Sequence, residues 1–168
     1  VSSLSKRINE TVAIIHWLKE NFGPKIKLTL CGGSMGAYIA LGVSRIFPKS
    51  IKNLILFCPA AYAKESHLVC LGPEFTACIQ KQNSWKNSLS FEWIARFTGK
   101  ILLLVPENDE IVPAQIPLEY QLRAKNASGV KYFTIPQTTH NLLSPQITNR
   151  RIRHLIYQLS VEFIRGKL

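Results

Sequence analysis

Leu28-Thr29-Leu30-Cys31-Gly32-Gly33-Ser34-Met35-Gly36-Ala37-Tyr38-Ile39-Ala40 is the stretch that decides the fold. A β-prone run, Ile26 to Cys31, breaks into Gly32-Gly33-Ser34-Met35-Gly36 and continues at once as a helix former, so it reads strand, sharp turn, helix. A serine at the tip of so tight a turn takes a strained backbone conformation, and glycines at 32 and 36 remove Cβ atoms that would collide there. The spacing exposes the Ser34 hydroxyl above the carboxyl end of a strand. It also points the Met35 backbone N–H, in the first turn of the helix, toward any oxyanion formed beside the Ser34 hydroxyl.

Working outward, Leu4, Ile8, Val12, Ile15, Leu18 and Phe22 recur at helical spacing before Gly23-Pro24, which predicts an amphipathic helix from Leu4 to Phe22. His16 and Trp17 within it are assigned to packing or surface. The helix after Ser34 is expected from about Met35 to Phe47, with small Ala37, Ala40 and Gly42 allowing close packing and Pro48 ending it. Ile51 to Cys58 is almost continuously apolar, as a parallel strand covered on both faces should be. Strand, helix, strand makes one right-handed crossover. Lys100 to Val105 and Val130 to Ile135 predict two more strands, with a helix to about Lys125 between them. A closing helix carries Ile152, Leu155, Ile156, Leu159 and Phe163 on one face and basic residues on the other.

Residues 59–99 interrupt the alternation with Tyr62, His67, Phe75, Trp85, Phe91, Trp93 and Phe97. This is too long for a simple crossover. It reads as a lid-like helical insertion over the carboxyl edge of the sheet, or as aromatics that only pack the crossover. No repeat or linker divides the chain, so residues 1–168 are expected to form a single domain.

Three polar residues follow three different strands in the order Ser34, Asp109, His140. Ligands bind at the carboxyl edge of open parallel sheets, so topology brings residues distant in sequence together there. Serine needs a base within hydrogen-bond reach, imidazole can take its proton at neutral pH, and a carboxylate on the other ring nitrogen fixes the tautomer. Asp109 is the sole aspartate of the sequence. Glu107 and Glu110 flank it and could substitute, while the spacing to Val112-Pro113 favours Asp109.

Composition narrows the partners. Twenty-one Lys and Arg against ten acids give a net charge of +11, which would suit an anionic partner. The basic residues are spread out, with a modest concentration at Arg150, Arg151 and Arg153, and no nucleic-acid motif accompanies them. A solvated basic surface is expected, and no nucleic acid. No apolar run approaches the roughly 20 residues of a membrane helix. Cys31, Cys58, Cys70 and Cys78 lack metal or disulfide-framework spacing. Cys31 and Cys58 end predicted buried strands, and all four read as free thiols of a reducing, cytoplasmic compartment. His16, His67, His140 and His154 are scattered and suggest no metal site.

The sequence resembles the carboxyl-terminal two-thirds of an α/β-hydrolase over essentially its full length. Gly32-Gly33-Ser34-Met35-Gly36 is similar to the nucleophile elbow, Glu107 to Pro113 to the acid loop, and Thr138-Thr139-His140-Asn141-Leu142 to the histidine loop. The resemblance implies Ser34 as nucleophile, His140 as general base and then acid, Asp109 as the orienting acid and the Met35 N–H as one oxyanion donor. It implies hydrolysis of a carboxylic ester or thioester through an acyl-enzyme, with no cofactor. A phosphate-bearing substrate such as an acyl-coenzyme A would suit the basic surface. A peptidase of the same fold, or a non-catalytic binding protein on the scaffold, are the alternatives. Val1 in place of an initiator Met, with a helical pattern under way by Leu4, suggests a segment of something longer. The family's amino-terminal strands, and the loop giving a second oxyanion donor, are expected to be missing. The sheet edge so uncovered predicts self-association.

Overall fold

A computed structural model describes residues 2–142 and 149–168. Among the described residues, six α-helices and four strands follow in the order α1 Leu4–Phe22, β1 Leu28–Gly33, α2 Met35–Ser44, β2 Ile51–Phe57, α3 Pro73–Ile79, α4 Leu89–Arg96, β3 Lys100–Asn108, α5 Gln115–Arg123, β4 Gly129–Thr139 and α6 Arg150–Ile164. The four strands form one all-parallel sheet in the order β1-β2-β3-β4, so each strand is laid beside its predecessor in sequence.

Side chains alternate across the sheet with the period of two that a pleated strand imposes. Leu54, Leu56, Ile101, Leu103 and Val105 face one apolar cluster, shared with α1, α2, α4 and α5. Ile55, Phe57, Leu102, Leu104 and Ile135 face a second, shared with Ile152, Ile156 and Phe163 of α6. The continuous apolar character of β2 and β3 is therefore the signature of strands wetted on neither face.

Several boundaries differ from the sequence reading. Ile26 N–H donates to Gly23 O in a turn, so the ladder with β2 starts at Leu28 and extends through Gly33. Helix α2 stops at Ser44 rather than Phe47, and its chain end is tightened by bonds from Ile46 and Phe47 to Val43 O. Strands β3 and β4 run on to Asn108 and Thr139 because they pair with each other past a register shift between Pro106 and Asn108. On α1, Leu4, Ile8 and Ile15 are buried as expected, but Phe22 is exposed and meets only Trp17 edge-on among the rings. His16 stacks edge-on against Phe47. Cys31, expected to be buried, is exposed on β1. Strand β1 ends the sheet order, whereas α6 packs on β3 and β4.

The aromatic insertion contributes to the first cluster: Phe75, Phe91, Trp93 and Phe97 are buried in it, and Trp85 is partly buried against it. Among the described residues, no helix is long and apolar enough to cross a membrane.

Candidate active site

Ser34 sits between β1 and α2 with φ 50° and ψ −113°, in the strained region that a sharp elbow demands of a non-glycine residue. Its N–H donates to Phe57 O at 2.9 Å, and its carbonyl accepts from Ala37 N at 3.1 Å and Ala60 N at 3.3 Å, so both neighbouring segments hold the turn. A Cβ on Gly32 would strike the Gly36 carbonyl and lie 2.7 Å from Ala37 N. At Gly36, by contrast, an added Cβ meets nothing within 4 Å beyond its own helix. The steric demand expected at both glycines falls on Gly32 alone, because it is Gly32 that passes over the first turn of α2. Met35 opens that turn, where backbone N–H groups have no intrahelical acceptor.

The strand ends bring Ser34, Asp109 and His140 together. His140 Nε2 lies 3.0 Å from Ser34 Oγ, and His140 Nδ1 lies 3.0 Å from each Asp109 carboxylate oxygen. A carboxylate only accepts, so Nδ1 carries the proton and donates it to Asp109, leaving the Nε2 lone pair to accept from the Ser34 hydroxyl. Asp109 Oδ1 also accepts from Ile111 N at 3.0 Å and Val112 N at 2.9 Å, which locks the carboxylate within its own turn. Side-chain exposure is 17% for His140 and 8% for Asp109, so the pair is largely shielded from water. Glu107 is committed elsewhere, its Oε2 accepting from Gln137 N at 2.7 Å. Glu110 faces the adjoining cavity.

Two further residues border the site that the sequence reading did not assign to it. Cys58 follows β2 with φ 37°, and its N–H donates to Leu104 O at 2.9 Å. Burial pushes its thiol up to about 11, against a hydrogen bond from the Ser34 backbone, while the nearby Asp109 charge raises it further. The thiol therefore stays neutral beneath the elbow. Burial likewise pushes the Tyr62 phenol up to about 12, against a hydrogen bond with the Ser34 side chain that lowers it. Tyr62 is thus a protonated hydroxyl beside the serine.

A relay of hydrogen bonds fixes the segment that carries Tyr62. Tyr62 N–H donates to Ser88 Oγ at 3.2 Å, the Ser88 and Ser90 hydroxyls are 2.8 Å apart, Ser90 Oγ is 2.7 Å from the Tyr120 hydroxyl, and Tyr120 donates to Ala60 O at 2.8 Å. Tyr120 has one proton and Ala60 receives it, so every donor in the relay points the same way. Tyr120 is completely buried. Tyr120→Phe leaves the Ala60 carbonyl and the Ser90 hydroxyl short of a partner, and is expected to cost about 1–3 kcal/mol of stability, measured as a lower urea midpoint at unchanged slope.

A cavity of about 850 Å³ opens at Ser34. The insertion supplies one wall, through Tyr62, Ile79 and Trp85, and the acid loop with α5 supplies the other, through Ile111, Val112 and Ile116. Among the described residues, no three His, Cys, Asp or Glu side chains are grouped to hold a metal ion.

No family model matches this sequence, and no curated protein sequence matches it significantly. Solved structures do. A CIB-like hydrolase from Thermoplasma acidophilum superposes with a TM-score of 0.64 at 17% identity, over 98% of this chain and 61% of that one. Est1E from Butyrivibrio proteoclasticus with ferulic acid bound gives 0.69 at 17% identity, over 98% and 69%. Dipeptidyl peptidase 4 from Porphyromonas gingivalis gives 0.71 at 13% identity, over 97% and 23%. This chain therefore spans less than two-thirds of the first and last of these structures. At such identities the likeness is one of fold alone, and the fold is the one these α/β-hydrolases share.

Proposed function

We propose that the chain is a serine hydrolase that cleaves a carboxylic ester or thioester through an acyl-enzyme on Ser34. The supporting observation is His140 bridging the Ser34 hydroxyl and the Asp109 carboxylate at 3.0 Å on each side. As Ser34 Oγ attacks the substrate carbonyl carbon, Nε2 of His140 takes its proton, and Asp109 stabilises the resulting imidazolium. The carbonyl oxygen becomes an oxyanion, received by the Met35 N–H. Collapse breaks the bond to the leaving alcohol or thiol, which departs with the proton from Nε2. Water then repeats the sequence on the acyl-enzyme and releases the acid and free Ser34.

The walls of the cavity favour an apolar or aromatic acyl group, with residues 59–99 acting as a lid-like cover. The ferulic acid held by Est1E is an aromatic acid of that kind. An aminopeptidase reading has Glu110 and Glu119 in the cavity wall to recommend it. Glu119, however, is already paired with Arg123 at 2.7 Å, which leaves one carboxylate where an ammonium group would need a cluster.

Incubation with a fluorophosphonate and peptide mass spectrometry test the proposal. An adduct on the Ser34 peptide, with p-nitrophenyl esters hydrolysed faster than aminoacyl anilides, is the expected result; folded chain that takes up no adduct overturns it. Tyr62→Phe removes one neutral hydrogen bond at the nucleophile, so kcat is expected to fall by up to about tenfold with KM little changed. Steady-state kinetics on the ester hydrolysed fastest would show this.

A further inference from the structure

Ser34, Asp109 and His140 occupy the carboxyl edge of the sheet, and four basic residues border two hollows at the other. Two adjoining hollows lie along the amino edge of β2 and β3, about 20 Å from the serine by strand length. One, of about 290 Å³, is walled by Arg45, Arg96 and Trp93; the other, of about 270 Å³, by Lys52 and Lys100. Both share Pro48 and Thr98, which makes them one groove. Among the described residues, none of the four cations is in an ion pair and no carboxylate lines either hollow. Glu92 stands one turn before Arg96 on α4 without pairing with it.

We infer that this groove is a binding site for a small molecule carrying two linked phosphate groups. Like charges drawn around one hollow repel each other, and a polyanion lying between them relieves that repulsion. The arginine pair offers planar forks suited to phosphate oxygens, and the lysine pair offers compact point charges. One pair per hollow, with the hollows in contact, matches two phosphates joined through a bridging oxygen rather than a long strand. Trp93 gives the arginine hollow a flat apolar wall for whatever group the diphosphate carries.

The groove is also built in advance. Arg45 is stacked over the Trp93 ring at 5.4 Å, which limits the freedom it would lose on binding. Its floor is bare backbone: Gly99 lies so close to the Lys52 carbonyl that a Cβ would collide with it, and Ser128 N–H is shared between Thr98 O at 3.2 Å and Gly99 O at 3.1 Å. This site is independent of the catalytic reading.

Inorganic pyrophosphate titrated at low salt, followed by amide NMR shifts and calorimetry, tests it. Shifts are expected at Arg45, Lys52, Thr98 and Lys100, with affinity at least about tenfold above that of inorganic phosphate. Arg45→Gln with Arg96→Gln, and Lys52→Gln with Lys100→Gln, are each expected to weaken binding by about tenfold or more. The control pair Arg151→Gln and Arg153→Gln on α6 should change it less than twofold, and thermal melts confirm that each variant is folded. An equal loss in the control would reduce the effect to net charge and overturn the site. So would unmoved amides in the groove, or a single-stranded oligonucleotide that binds there more tightly than pyrophosphate with a steeper salt dependence.

Discussion

Asp109→Asn is expected to lower turnover by about 10⁴-fold while leaving the fold intact. The geometry dictates why. Both backbone donors, Ile111 N and Val112 N, bind Oδ1, so the asparagine carbonyl keeps that place and its amide nitrogen is turned toward His140. Facing a donor in the place of Oδ2, Nδ1 is drawn to accept, and the tautomer with the ring proton on Nε2 is favoured. Nε2 then cannot take the proton of Ser34, although every heavy atom stays where it was. Stopped-flow rates of fluorophosphonate labelling would show the loss, and imidazole nitrogen shifts would report the exchanged tautomer. A variant with normal labelling would remove Asp109 from the chemistry and leave Glu110 to be tested in its place.

Gly32→Ala should cost stability and activity together. Its new methyl would run into the Gly36 carbonyl and stand 2.7 Å from Ala37 N, and both obstacles are backbone, with no side chain free to swing aside. Strand β1 and the first turn of α2 have to separate, at the upper end of the overpacking range, about 3 kcal/mol. For a domain of this size that lowers the melting midpoint by roughly 10 °C. Gly36→Ala, with open space around it, serves as the matched control and should melt close to the parent chain. Equal midpoints for the two variants would show that the close approach at Gly32 imposes nothing.

Those two glycines mark where the sequence could be read and where it could not. The elbow was legible because strand, turn and helix are consecutive and each depends on local pattern. The meeting of Ser34, Asp109 and His140 was legible because parallel strands return every carboxyl end to one edge. Which glycine bears the contact was hidden, since a five-residue motif does not say which of its members passes over the helix. The strand ends at Asn108 and Thr139 were hidden too: they are held by pairing with each other across a register shift, and Pro106 and Pro136 argued for loops. Phe22 and Cys31 were misplaced because periodicity gives the face a residue points to, but not whether another element covers it. Cys58 and Tyr62 reach the site only through the path of the chain after β2, which no local pattern records.

The sequential strand order sets a clock. Because β1, β2, β3 and β4 are laid down side by side in the order of synthesis, the sheet can grow as the chain leaves the ribosome, starting from the pairing of β1 with β2. His140 arrives 106 residues after Ser34. At about 5–20 residues per second that is a delay of roughly 5 to 20 seconds between the synthesis of Ser34 and that of His140. On the proposed reading of Ser34 as nucleophile, a nascent chain lacks its base until β4 has docked.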